Sequence, residues 1–221
     1  MPITPRFRLR IDSHSVIAML HLRYSGQPEA VQRAALETIV RADPLLMSVL
    51  NELRDIALPD WLLVSGVIYN SVWNELTGRP PLTGINDIDV VYFDDSDLSY
   101  EAEDRVIKQL AERFAGSPLP VQVRNQARVH LWFPKKFGLP FAALGSSAEM
   151  LSLYASKTHA VALRLEADDR LTILAPFGLD DVFSLRIVPN PVLDNRPAHE
   201  AKAARAKSVW PEITVVPWPD T

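Results

Sequence analysis

From Pro28 onward the apolar positions recur at helical spacing. Val31, Ala34, Ala35, Thr38 and Ile39 share one face, and Leu46, Val49, Leu50 and Leu53 repeat the pattern, predicting two consecutive helices that Pro59 closes. Trp61 to Val64 is then an unbroken apolar run of strand length, with Ser65-Gly66 directly after it. A further helix follows, in which Ile68, Val72 and Leu76 form one row and Tyr69 and Trp73 the next. Gly78 suits its end, and Pro80-Pro81 bar any continuation. Beyond Gly84, the β-branched and aromatic run Ile88 to Phe93 reads as a second buried strand.

The second half alternates in the same way. A helix is predicted from Ser99 to Phe114, with Val106, Ile107, Leu110, Ala111 and Phe114 on one stripe, and Val121 to Arg124 is a third short strand. The next segment reads two ways. Ala127, Val129, Leu131 and Phe133 alternate like a strand, while Asn125 is placed to cap a short helix ending before Pro134; the helix is the expectation adopted. Ser146 and Glu149 have capping-box spacing for a helix through about Tyr154. Val161 to Leu165 and Leu171 to Leu174 predict a hairpin around an acidic turn. A helical turn at Leu179 to Phe183, an extended Leu185 to Val188 and a last helix from His199 to Lys207 complete the pattern. Phe7, Leu9 and Ile11 alternate like a short strand, but Gly26, Gln27 and Pro28 break the chain. Residues 1–30 are therefore set apart as an extension, and 31–221 as one α/β domain with an added C-terminal hairpin and helix.

Composition narrows the function. A formal charge of −4 over 221 residues lacks the basic excess of a general nucleic-acid coat protein, so nucleic acid is not an indicated partner. The absence of cysteine removes disulfides, zinc–thiolate sites and thiol chemistry. The five histidines are scattered, without the i, i+4 pair that would face one metal from a helix. No apolar run reaches membrane-spanning length, and Arg6, Arg8 and Arg10 are not followed by a signal-peptide apolar region, so a cytoplasmic protein without a membrane partner is expected.

The chemistry concentrates where the first strand gives way to Ser65-Gly66 and the second opens with Asp87-Ile88-Asp89. Alternation along a strand points both aspartates to one face and Ile88 into the core. Two carboxylates about 5 Å apart repel by about 3 kcal/mol at an effective dielectric near 20, so the pair asks for a cation. Magnesium, or manganese, fits best, because magnesium takes one or two carboxylates and completes its shell with water and phosphates. Gly66, having no side chain, lets a triphosphate approach the amides that begin the following helix, where the dipole favours anions, and Ser65 adds a hydroxyl. Each motif alone is weak, since Asp-x-Asp recurs in acidic turns and Ser-Gly in ordinary ones; their order at strand ends gives them weight.

These segments resemble a bacterial nucleotidyltransferase family of the DNA polymerase beta-like superfamily. The resemblance runs through Leu63-Val64-Ser65-Gly66-Val67-Ile68-Tyr69-Asn70, Gly84-Ile85-Asn86-Asp87-Ile88-Asp89-Val90, Arg124-Asn125-Gln126-Ala127-Arg128, Ala175-Pro176-Phe177-Gly178 and Val188-Pro189-Asn190-Pro191, and covers most of residues 40–218. It implies a small mixed sheet flanked by helices, with Ser65 and Gly66 seating phosphates and Asp87 and Asp89 holding the metal. The implied activity is transfer of a nucleoside monophosphate from a nucleoside triphosphate to an acceptor. Two departures stand out. Twenty-one positions separate Gly66 from Asp87, which marks the Arg79 to Gly84 loop as an insertion. The third acid of the pattern falls at Gln122, and no acid lies between Gly116 and Phe133. Glutamine cannot take a proton as a general base. An alternative expectation is therefore a catalytically impaired nucleotide-binding protein, a sensor or partner module on the same fold.

Several neighbours have both a functional and an ordinary reading. Asn70, Arg124, Asn125 and Arg128 are candidates to touch the nucleotide, or else satisfy nearby backbone and solvent. His130 shares that ambiguity. Asp180-Asp181 is expected as a helix start, Trp73 and Trp132 as core or cleft wall, and Lys202, Arg205 and Lys207 as a solvated helix face.

Overall fold

The computed structural model describes residues 20–220, so the expected strand around Phe7 to Ile11 lies outside the described residues. Two helices open the domain, α1 (Glu29–Ala42) and α2 (Pro44–Ile56). The Asp43 carboxylate accepts from the amides of Leu45 and Leu46, and Pro44 stands at the first helical position, so one residue both ends α1 and starts α2.

A five-stranded mixed sheet forms the centre, in the order β3-β2-β1-β4-β5. It comprises β1 (Leu62–Val64), β2 (Ile88–Tyr92), β3 (Val121–Asn125), β4 (Ala162–Leu165) and β5 (Leu171–Leu174). Only β2 and β3 run parallel; β1 pairs antiparallel with both β2 and β4, and β4–β5 is the expected hairpin. The crossover from β2 to β3 is α4 (Tyr100–Arg113), whose Ser99 cap accepts from Ala102 N at 3.2 Å. Between β1 and β2 comes α3 (Gly66–Thr77), which ends in a left-handed Gly78.

Strand alternation divides the sheet into two faces. Leu63, Ile88, Val90 and Val123 pack into the main core with α1 to α4, where Ile88 and Leu63 are fully buried. On the opposite face Leu62, Val64, Val91 and Ala162 form a smaller cluster beside Leu151 and Met150. Asp89, Gln122 and Arg124 share that second face, because the register pairs Asp89 with both Val64 and Gln122, and Val91 with Arg124. The thinly covered face thus carries the polar side chains.

Two local expectations change in form. Gln126–Arg128 makes a short 3-10 turn capped by the Asn125 side chain, and α5 (Val129–Phe137) then continues through Pro134 instead of stopping before it. The proline forfeits one backbone bond, which ring packing offsets: Phe133 lies 4.6 Å from Phe137 and 4.5 Å from Phe141 between centroids. The Ser146–Glu149 signal yields a 3-10 segment, Glu149–Leu153, rather than an α-helix, because the Glu149 carboxylate accepts from Gly145 N, one residue short of the expected cap.

The C-terminal part adds α6 (Asp180–Phe183), β6 (Arg186–Ile187), α7 (Arg196–Val209) and β7 (Thr214–Val215), with β6 and β7 parallel in a two-stranded sheet. Asp180 accepts from Gly26 N at 2.6 Å and from Gln32 Nε2 at 2.8 Å, a structural clamp at the start of α6. Trp73 is fully buried and donates to Val182 O at 2.9 Å. Among the described residues no helix is long and apolar enough to cross a membrane.

Candidate active site

The antiparallel register sets the centre of the site. Val64 is the Cα partner of Asp89 and the last paired residue of β1, so the acid stands beside the point where the chain turns from β1 into α3. Ser65, Gly66, Asn70, Asp87 and Asp89 all line one cavity of about 170 Å³, closed on its other side by Gly84 to Asn86 and by Lys202, Arg205 and Trp210 of α7 and the turn after it.

Ser65 occupies a backbone conformation, φ 61° and ψ −115°, that favours glycine. Such strain costs about 1–3 kcal/mol, and it is held here by Ser65 N donating to Val161 O at 2.8 Å and by Ser65 O accepting from Ile68 and Tyr69. The turn starts α3 at the cavity, which Ser65 and Gly66 both line. Gly66 is different, because its φ is not positive and a Cβ there would meet nothing closer than Asn70 Nδ2 at 3.9 Å. Neither conformation nor packing of this chain requires glycine at 66. Gly66→Ala is therefore expected to leave the melting temperature unchanged or higher, since alanine favours helix. Triphosphate affinity measured by calorimetry should fall about tenfold, which is a loss of ~1.4 kcal/mol; equal binding by the variant would show that no ligand approaches this backbone.

The pKa of Asp89 is raised, first by burial and next by the charge of Asp87, while Lys202 and Arg124 oppose the shift. Asp87 Oδ2 accepts from Gln122 Nε2 at 2.8 Å, so the residue at the expected third-acid position faces the pair as a hydrogen-bond donor. Among the described residues no group of three or more His, Cys, Asp or Glu side chains could hold a metal. Two carboxylates on one open cavity fit magnesium better than a cation needing a closed protein cage, since the remaining positions are free for water and phosphate oxygens.

Not all sequence candidates converge. Ser65, Gly66 and Asn70 line the cavity with the acids, and Arg124 and Gln122 lie on the adjoining side along β3. Asn125 and Arg128 do not enter it. Asn125 bridges Asp94 N and O and caps the 3-10 turn, while Arg128 is buried in an ion pair with Glu103 and donates to Leu98 O at 2.9 Å. Lys202 and Arg205 are exposed, as expected of a solvated face, and they also line the cavity that holds the acids, where Arg205 donates to Gly84 O at 2.9 Å. Their i, i+3 spacing was the available signal, but nothing in the pattern said which element that face would meet.

The Arg79 to Gly84 loop, expected as an insertion, joins α3 to the C-terminal part of the chain. Arg79 forms a two-pronged pair with Glu212, both contacts at 3.0 Å, and Asn74 donates to Thr83 O while accepting from Trp210 Nε1. Gly84 has φ 71°, and a side chain there would overlap the Trp210 ring, so glycine is required by both backbone and packing.

Beneath the site His159 stacks on Tyr69 with ring centroids 4.7 Å apart. Its pKa is held well below the ordinary 6.5, first by burial and then by the charge of Lys202, and that of His199 is lowered by burial as well. Both histidines therefore fold neutral and gain protons on unfolding. Stability is fully present above pH 6.5 and is expected to fall as pH drops below that value. Urea midpoints at pH 7.5 and 5.5 check this, and His159→Phe should flatten the difference; a midpoint unchanged between the two pH values would contradict the buried neutral state.

Comparison with known proteins bears directly on this geometry. A nucleotidyltransferase family model matches residues 51–215. The chain belongs to this nucleotidyltransferase family. The matched span contains the Ser65-Gly66 turn, both acids, Gln122 and the cationic face of α7. No functionally curated protein matches the nucleotidyltransferase in sequence. Among solved structures it is similar to a protein whose NMR structure is described as revealing a CCA-adding enzyme head domain, with 27% identity and a TM-score of 0.68 over 82% of this chain and 96% of that one. The mixed sheet flanked by helices expected from the sequence is thus the fold of this nucleotidyltransferase, shared with a head domain of the same superfamily.

Proposed function

We propose that the protein transfers a nucleoside monophosphate from a nucleoside triphosphate to an acceptor, with magnesium or manganese held by Asp87 and Asp89. One observation carries this reading: both acids share a single cavity with the Ser65-Gly66 turn and the cationic side chains of α7. The metal, when bound, would polarise the phosphate oxygens and screen the charge of departing pyrophosphate. The chain's own residues supply the rest. The amides opening α3 and the Ser65 hydroxyl bind phosphate oxygens, Gly66 gives them room, and Lys202 and Arg205 offset the charge that grows on the leaving group. Asn70, nearly buried on the cavity floor, orients the triphosphate from α3. Triphosphates and magnesium are both plentiful in the cytoplasm, where this reading places the protein.

Incubation with each of the four α-labelled triphosphates and magnesium or manganese tests the proposal. Pyrophosphate release with transfer of label is the expected result, and intact triphosphate under every condition tried with acceptor mixtures would oppose it. A second reading, a protein that holds triphosphate without reacting it, is favoured by the Gln122–Asp87 hydrogen bond, which puts a neutral donor where a proton acceptor would assist transfer.

A further inference from the structure

A second cavity opens on the β3 side of Asp89. Its volume is about 710 Å³, within the range of small-molecule sites, and its lining differs sharply from the phosphate cavity. Trp132, Phe133, Phe137 and Phe141 of α5 and the segment after it form one wall, facing Tyr154 and the start of α7. Asp89 and Lys202 line both cavities, so the two spaces meet at this one acid and this one cation.

Sheet order fixes their relation. Gly66 follows β1 on one side of β2, while Gln122 and Arg124 belong to β3 on the other, so Asp89 stands between the turn that receives phosphates and the aromatic cavity. Displacement at phosphorus proceeds in line, with the entering oxygen opposite the leaving one. Pyrophosphate departing toward Gly66 therefore requires the acceptor to enter from the β3 side, through the aromatic cavity. Asn195, at the start of α7, also lines this cavity. A polynucleotide groove would instead need a track of cations along its backbone, and this cavity offers Arg124 and Lys202 alone.

We propose that the aromatic cavity seats the acceptor, and that the acceptor is a small aromatic molecule bearing a hydroxyl group. The reaction it completes rests on the nucleotidyl-transfer reading above. The hydroxyl oxygen forms a bond to the α-phosphorus, the bond from that phosphorus to the oxygen leading to the β-phosphorus breaks, pyrophosphate leaves, and the hydroxyl proton passes to water. A phenol suits a site whose nearest β3 side chain is the non-basic Gln122, because phenols ionise near about pH 10 and release a proton far more readily than aliphatic alcohols.

The test uses the full chain and 2-naphthol, a fluorescent bicyclic phenol, as probe. Saturable binding is expected, weakened at least tenfold in Ala198→Trp, which fills the cavity from an exposed position on α7, and also in Phe133→Ala, which removes part of its wall. Affinity for a non-hydrolysable triphosphate with magnesium should be unchanged in both variants, whose folding is checked by thermal melts. Naphthol binding absent, or insensitive to both substitutions, overturns the proposal. Loss of triphosphate affinity in Ala198→Trp would assign the cavity to the nucleobase and overturn it equally, as would competition for the probe by a single-stranded RNA that then receives label. Naphthol binding that persists in a protein with no affinity for triphosphate would leave the cavity assigned as an aromatic site and sink the transferase reading instead. In the intact case, label from the triphosphate should appear on the naphthol oxygen.

Discussion

Asp89→Asn is expected to lower metal-dependent triphosphate affinity by at least about 100-fold, beyond the effect of losing an outer partner of a metal ligand, while making the metal-free protein more stable. Asp89 is the carboxylate whose ionised form is penalised by burial and by Asp87, and it lines the cavity shared with the Ser65-Gly66 turn. Asparagine keeps the shape and removes the charge. Without metal, the Asp87–Asp89 repulsion disappears and the melting temperature rises, by ~2–4 °C for each kcal/mol relieved in a chain of this size. With magnesium and triphosphate the order reverses, since only the native protein gains stability from ligand binding. Calorimetry and thermal melts with and without both ligands check the two signs together. Native-like affinity in the variant, or a lower metal-free melting temperature, would mean that Lys202 and Arg124 already neutralise the acids and that no cation is called for.

What the sequence disclosed about this arrangement was its local part. Period-2 alternation put Asp87 and Asp89 opposite the buried Ile88, and the strand, turn and helix around Ser65-Gly66 follow from an apolar run and a helical row. Those rules act over a few residues, and the structure obeys them. The partners supplied by distant segments were not legible. Lys202 and Arg205 have an unremarkable i, i+3 spacing, and it takes the Arg79–Glu212 pair and the Asn74–Trp210 bond to bring α7 over the acids. Arg128 shows the converse: a cation close to the strand in sequence that folding turns inward to Glu103. The aromatic cavity was hidden for another reason. Pro134 looked like a helix stop, and only the mutual packing of Phe133, Phe137 and Phe141 carries α5 past it.

The site also shows a division of charge that neither half of the chain specifies alone. The N-terminal half contributes the two acids and the Ser65-Gly66 turn, and α7 contributes the cations that line the same cavity of about 170 Å³. A triphosphate with its metal would bridge the two, so binding should tighten the contact between α7 and the rest of the fold.

Gln122→Glu separates a slow enzyme from a holding protein, and it is expected to do so with opposite effects on stability and turnover. In the native chain Gln122 Nε2 donates to Asp87 Oδ2 at 2.8 Å; glutamate would replace that bond with a third carboxylate beside the pair. The metal-free protein should therefore melt at a lower temperature, and magnesium should restore more stability than it does in the native chain, because an added carboxylate strengthens a hard-cation site. If the native protein performs transfer, the new carboxylate can accept the acceptor's proton, and turnover should rise by about 10²-fold, the lower end of what a positioned base contributes. Single-turnover assays with labelled triphosphate read this directly. A larger magnesium-induced shift with triphosphate bound and no transfer would support the holding protein, since the site would then have metal, phosphates and base together and still not react.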